Sequence, residues 1–310
     1  MEISLVFISD LFSAAVRQAA PLILVSVGGV FTERSGILNV GLEGMMLMGA
    51  LTAVAASFLT GGNILAATIC AMLAGGIFSV GHAYLTVTRR ANQIVSGLCI
   101  NILALGLTNV LIARLFPTQR WRVALYPVLM PESLHDIPFI GEVIFSQSVI
   151  VWIAFVLPLI AAWVLYRTSW GLNIRAVGDH PHAVATAGLS VIRLKYVGVI
   201  LSGLFAGLGG SALVLSDLGY FVENITAGRG FIVLAALIVG KWNPIWIAVV
   251  CLFFGVADAF QLRLQTFGSV VPHQVLIMIP YLLTIAALAG FVGRTRAPKT
   301  IGQSYDPEAV

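Results

Sequence analysis

The sequence predicts an all-α fold, a polytopic transmembrane helical bundle of about 8–10 spans with broken or short helices. Three observations predict it. Of 310 residues, 59% are hydrophobic and only 10% charged, with mean hydropathy +1.00; a soluble domain carries about 25% charged residues. The apolar residues fall in long runs, and a helix needs about 20 of them to cross the hydrocarbon core. Strand-type alternation is absent, which argues against a barrel. The chain reads as a single transmembrane domain over 1–310.

In chain order, spans are expected at 5–31, 42–60, 64–88, 93–115, 147–166, 195–216, 243–262 and 273–292. A further apolar piece, 229–241, is too brief to cross unaided. The start, MEISLVFISD, has acids where a cleaved signal peptide has a basic region. Cys70, Cys99 and Cys251 lie in apolar runs and suggest neither a disulfide framework nor a metal site. Under these spans Arg34, Arg89, Arg90, Arg167, Arg175, Arg193, Lys195, Lys241, Arg294, Arg296 and Lys299 fall on one side. Arg114, Arg120, Arg122, Arg229 and Arg263 fall on the other, with the acids Glu132, Asp136, Glu142, Asp217 and Glu223. The basic side is expected to be cytoplasmic, with the N-terminus outside and the C-terminus inside. The net charge of +4 is then a property of cytoplasmic loops, and no basic, aromatic-laced patch points to nucleic acid.

Between the first two spans lies FTERSGILNVGLEGMM, 31–46. Gly36, Gly41 and Gly44 loosen the helix there. Unwound backbone at membrane depth is tolerated only where protein or a water-filled cavity covers it, and transporters present polar groups to a solute in this way. Glu33 and Arg34 fit an ion pair at the interface. Asn39 and Glu43 lie deeper, where an ionisable group needs a partner; they are candidates for the pathway or for a structural hydrogen bond. In 93–115, Gln93, Gly97, Asn101 and Thr108 share a face too polar for lipid. It either lines a path for a polar solute or bonds to neighbouring helices.

The longest cytoplasmic connection is 167–195. Within it DHPHAVATAG has the marks of a short helix: Asp179 or His180 to cap, Pro181 in the first turn and Gly188 to stop. Ala183, Val184, Ala185 and Ala187 give it a small apolar surface suited to a partner's groove. His180 and His182, two residues apart, do not share a helical face for a metal. In 195–216, Gly203, Gly207 and Ser211 form one small ridge and Ser202, Ala206 and Gly210 another, as close helix packing requires. Finally GRGFIVLAALIVGKWNPIW, 228–246, is a second interrupted segment with an Asn-Pro stop. Paired interruptions are the pattern of repeat-built transporters, though no residue-by-residue repeat joins these two.

No phosphate-binding loop occurs, since Gly240-Lys241 is followed by Trp242, and neither H-E-x-x-H nor G-x-S-x-G is present. The chain is not expected to be an enzyme, and any ATP would be hydrolysed by another chain.

Over about 15–295 the sequence resembles the permease subunits of bacterial ABC importers of the branched-chain amino acid, simple-sugar and nucleoside type. SGILNVGLEGMMLMGA (35–50) resembles the signature of the nucleoside branch. GLNIRAVGDHPHAVATAGLSVIRLK (171–195) resembles the cytoplasmic coupling segment, and GFIVLAALIVGKWNPI (230–245) the late Gly-to-Asn-Pro motif. The resemblance implies nucleoside translocation across the bacterial inner membrane, with the substrate path near Asn39, Glu43, Gln93 and Asn101. It implies ATPase coupling within 167–195, at Arg175, Asp179, Pro181, Ala185 and Gly188. The implied partners are an ABC ATPase carrying ATP and Mg, a second permease (homologous or a copy of this chain), an extracytoplasmic solute-binding protein and membrane lipid. No cofactor is expected on this chain. Simple-sugar or branched-chain amino acid import is the alternative within the family. An ion-coupled secondary transporter is another, with Glu43 and Asp258 as coupling carboxylates.

Overall fold

The computed structural model describes residues 2–115, 123–129, 137, 139–266, 278–291 and 297–307. The chain opens with α1 (Glu2–Arg34), α2 (Leu42–Leu59), α3 (Ile64–Ala83) and α4 (Gln93–Leu115). After them come α5 (Val149–Arg167), α6 (Ser169–Asp179), α7 (Pro181–Thr186) and α8 (Val191–Leu213), then α9 (Arg229–Val239), α10 (Pro244–Thr266) and α11 (Ile279–Phe291). No strand forms among the described residues. Wide π turns extend α3 through Thr88 and α8 through Leu218, and another, Gly141–Phe145, precedes α5.

Among the described residues, seven helices are long and apolar enough to cross a membrane, and α9 is a shorter apolar helix. The expected span at 273–292 is helical over Ile279–Phe291, with 273–277 and 292 outside the described residues. The expected loop at 167–195 contains two helices, α6 and α7. Thr168 starts the first by accepting the Gly171 N–H at 3.1 Å.

α1, α2 and α8 are mostly buried, whereas fewer than a third of the residues in the apolar stretches of α3 and α4 are buried. α8 packs on α1, α2 and α3, and α1 also on α10. The small ridges expected in α8 make this possible. A Cβ on Gly207 would collide with the Ala71 carbonyl, and one on Gly210 with the Met46 carbonyl. Without a hydrophobic force between helices in lipid, such close backbone approach is what holds a bundle.

Among the described residues, Arg263 and Glu142 of one charge group and Arg34 and Arg90 of the other take part in separate sets of contacts. In one set Ser9 Oγ donates to Glu142 at 2.5 Å and Arg263 pairs with Asp10 at 2.8 Å. A hydrogen bond with the Asp10 carboxyl is the main cause holding Glu142 above the usual carboxylate range. In 123–129, Tyr126 Oη lies 2.6 Å from Thr68 Oγ1 and 3.0 Å from Ser211 Oγ. Burial pushes this phenol up. In the other set Arg90 pairs with Asp306 at 3.0 Å, and Arg34 reaches Tyr166 Oη at 3.3 Å.

Candidate functional site

α1 and α2 are separated by residues 35–41, which are not helical and are buried apart from Leu38. Their backbone groups need partners, and four polar side chains supply them. The Leu38 N–H donates to Gln93 Oε1 at 2.7 Å, and the Leu38 carbonyl lies 3.4 Å from His82 Nε2. Asn39 Oδ1 accepts the Gly41 N–H at 3.0 Å, while its Nδ2 donates to Ser202 Oγ on α8 at 2.7 Å. Asn101 Nδ2 donates to the Val40 carbonyl at 3.0 Å, and its Oδ1 accepts the Gly44 N–H at 2.8 Å. The polar face of α4 therefore bonds the break. Gln93, Asn101 and Asn39 hold it from three sides, and His82 completes the set.

Glu43 stands in the first turn of α2. Its Oε1 accepts the Gly228 N–H at 2.8 Å and its Oε2 the Gly230 N–H at 2.6 Å. These donors open α9, which has no side-chain cap of its own. One carboxylate thus caps a helix more than 180 residues away in sequence. It also lies at the positive ends of two helices, where a negative charge is favoured. Gly228 has φ +83°, a left-handed turn that aims its N–H at Glu43 and that a Cβ would strain.

The far end of α9 is tied to the end of α1. Lys241 and Trp242 both take left-handed backbone, φ 55° and 53°, which costs about 1–2 kcal/mol per non-glycine residue. This turn is held by Trp242 Nε1, which donates to Glu33 Oε2, and by Arg34 Nε, which donates to the Trp242 carbonyl at 3.2 Å. Glu33, buried at 1% exposure, therefore pairs with the indole rather than with Arg34 as the sequence suggested. Asn243 then opens α10 by accepting the Ile245 N–H at 3.0 Å. α9 is suspended between Glu43 at one end and Glu33 with Arg34 at the other.

Beside this junction is a cavity of about 310 Å³, within the size range of small-molecule sites. Glu43, Gly44, Asn101, Asn224 and Gly228 form its polar side; Leu47, Leu98, Ile102, Leu105 and Phe231 form its apolar side. Of the four residues expected near a path, Glu43 and Asn101 line this cavity. Asn39 and Gln93 bond the break behind it.

The expected coupling residues lie together around α6 and α7. Arg175 Nε donates to the Leu165 carbonyl at 3.0 Å and its guanidinium lies 5.2 Å from the Tyr166 ring, closing the α5–α6 corner. Asp179 is the last residue of α6 and accepts the Lys299 N–H at 3.3 Å instead of capping α7. His180 is the cap position but makes no side-chain cap bond. Pro181 occupies the first turn, and Gly188 stops the helix at φ +78°. Val184 is buried with Val177 and Val191, which leaves Ala183, Ala185 and Ala187 exposed.

Asn224, His82 and the residues of 297–307 were given no role at a site from sequence, while Ser202 was read only as part of a packing ridge and Gly228 and Trp242 only as part of the interrupted segment 228–246. Their roles depend on contacts between distant segments, and only the glycines bracketing 228–240 gave a local signal.

Residues 11–293 match the family described as "Branched-chain amino acid transport system / permease component". Curated relatives span nearly the whole chain. The guanosine ABC transporter permease protein NupQ of Bacillus subtilis is 41% identical, covering 96% of this chain and 97% of its own. The nucleoside ABC transporter permease protein NupC of Lactococcus lactis is 38% identical, covering 93% of each. The putative glucose ABC transporter permease protein TsgC13 of Haloferax volcanii is 31% identical, covering 97% of this chain and 99% of its own.

Proposed function

We propose that this chain, which belongs to the permease-component family of branched-chain amino acid transport systems, is the membrane-spanning subunit of an ATP-binding-cassette importer of nucleosides. Two relatives with nucleoside or guanosine in their descriptions, 41% and 38% identical, support the solute. The cavity beside Glu43 and Asn101 carries the reading at the level of structure. Both Glu43 oxygens are occupied by backbone N–H groups of α9. The site therefore suits a neutral polar solute better than a zwitterion, which needs its own counter-charges. The Phe231 ring, 44% exposed, offers a face for a base to stack on, and the exposed Asn224 offers an amide for hydroxyls and ring nitrogens.

In this reading Glu43 and Asn101 line the solute path, while Asn39 and Gln93 keep the break in shape behind it. A second permease, homologous or a copy of this chain, covers the cavity's open side. An ABC ATPase, carrying ATP and Mg, docks on the exposed alanines around Ala185. Pro181 and Gly188 fix the length of that docking helix, and Arg175 and Asp179 tie it to α5 and the C-terminal segment. An extracytoplasmic protein delivers the solute. The complex sits in a bacterial inner membrane with the α6–α7 end in the cytoplasm and the N-terminus outside.

Uptake of labelled nucleosides into cells lacking and then regaining this chain tests the solute. Restored uptake that unlabelled nucleosides suppress and glucose or leucine does not is the expected result. Restored uptake of glucose with no response to nucleosides would establish the sugar alternative, which the 31% identical relative favours.

A further inference from the structure

The C-terminal segment 297–307 lies against the same end as α7, and its contacts reach two separate parts of the machinery. On one side it holds the end of α6 and the start of the proposed docking helix. The Thr300 N–H and Oγ1 both donate to the Gly178 carbonyl, at 3.0 and 2.8 Å. Lys299 Nζ lies 3.0 Å from His180 Nε2, and the Tyr305 ring sits 5.2 Å from the His182 ring while packing on the Val177–Val184–Val191 cluster. On the other side it holds the turn before α4. Ser304 Oγ donates to the Arg90 carbonyl at 3.2 Å, and Asp306 pairs with Arg90.

The link runs on into the break. Gln93 is buried at 2% exposure, and its amide is used in both directions. Its Nε2 donates to the Gln303 carbonyl at 3.2 Å and its Oε1 accepts the Leu38 N–H at 2.7 Å. Ile301 packs on the main core, and with Ala297, Glu33, Leu38 and Trp242 it walls a cavity of about 300 Å³ over the break. α7 itself packs on its chain neighbours α6 and α8. A displacement of α7 can meet the break through α6, whose Gly178 backbone packs against Arg34 and Gly36, or through this segment, whose Thr300 lies beside Gly36.

We propose that residues 297–306 act as a strap that transmits the movement of α7 to the α1–α2 break, with Gln93 as the joint. The inference rests on α7 being where the ATPase docks. Both backbone and side-chain groups of the strap bond to its neighbours, at the α6–α7 end and at the turn before α4. A two-sided amide, buried and bonded at both ends, passes a shift on instead of absorbing it. Connected hydrogen-bond networks and packed side chains of this kind are one way in which coupling is carried between distant sites.

The complete complex, with its ATPase and binding protein, tests this in proteoliposomes by the amount of nucleoside moved per ATP hydrolysed. The wild-type complex comes first; if it moves no nucleoside, the proposed function fails and the strap is not at issue. With wild-type transport in hand, two changes are compared: a chain ending at Pro298, and Tyr305→Ala. Both are expected to retain the ATPase at wild-type yield while nucleoside moved per ATP falls about tenfold. Should the shortened chain fail to assemble, Tyr305→Ala decides. An unchanged ratio with Tyr305→Ala would overturn the strap. Loss of the ATPase from Tyr305→Ala would overturn it as well, by making the segment a docking element.

Discussion

At the scale of single residues, Glu43 and Glu33 divide the same task. Each uses its carboxylate to hold one end of α9. Glu43→Ala leaves the Gly228 and Gly230 donors without an acceptor in a water-poor setting, a loss of about 1–3 kcal/mol per group. The expected result is a lower melting temperature and less folded protein in detergent. Glu43→Gln keeps one acceptor, so assembly should survive while uptake falls. Wild-type yield and uptake with Glu43→Ala would remove Glu43 from both roles. At the other end Trp242→Phe keeps an aromatic ring but takes the N–H from Glu33. Thermal denaturation should show a loss of about 1–3 kcal/mol, and an unchanged midpoint would mean that Glu33 holds α9 by other means. The sequence marked Glu43 because a carboxylate inside an apolar stretch needs a partner. It could not name the partner, since the donors are plain backbone N–H groups of glycines. Glu33 beside Arg34 looked like a local pair for the opposite reason, a charged neighbour was in view and the indole was not.

At the scale of elements, the small ridges of α8, the glycine-rich break and the short α9 were legible, because glycine and apolar spacing are local properties. The eleven-residue length of α9 also marked it as unable to cross alone. The helix inside 169–179 was less visible, since it follows the apolar α5 after a single residue and its own composition, SWGLNIRAVGD, is polar enough to read as loop. The short α7 was expected from its proline and its glycine stop, and its exposed alanines suit entry into a groove. Ala185→Glu should block that entry by steric conflict and by the cost of desolvating a charge. Gly188→Val should oppose the left-handed stop at φ +78°. Neither change touches a span, so the protein should insert normally but fail to retain the ATPase on purification. Co-purification of the ATPase at wild-type yield with Ala185→Glu would place docking elsewhere.

At the scale of the whole molecule, described members of the two charge groups make separate sets of contacts, Arg263 with Asp10 and Arg90 with Asp306. The proposed orientation puts α7 in the cytoplasm and 123–129 outside, as the charge asymmetry of the loops predicts. Single cysteines at His180 and Leu129, both exposed, can be labelled with an impermeant thiol reagent in intact cells after Cys70, Cys99 and Cys251 are replaced. Reaction at Leu129→Cys and not at His180→Cys is expected, and the reverse pattern would invert the orientation. The central claim is that this bundle imports a nucleoside with energy from an ATPase partner. Nucleoside uptake by energised cells tests it most directly when ATP and the proton gradient are removed separately. The account predicts that uptake stops on ATP depletion and continues after the gradient alone is collapsed. Uptake that survives without ATP and disappears with the gradient would contradict it, and would identify an ion-coupled transporter.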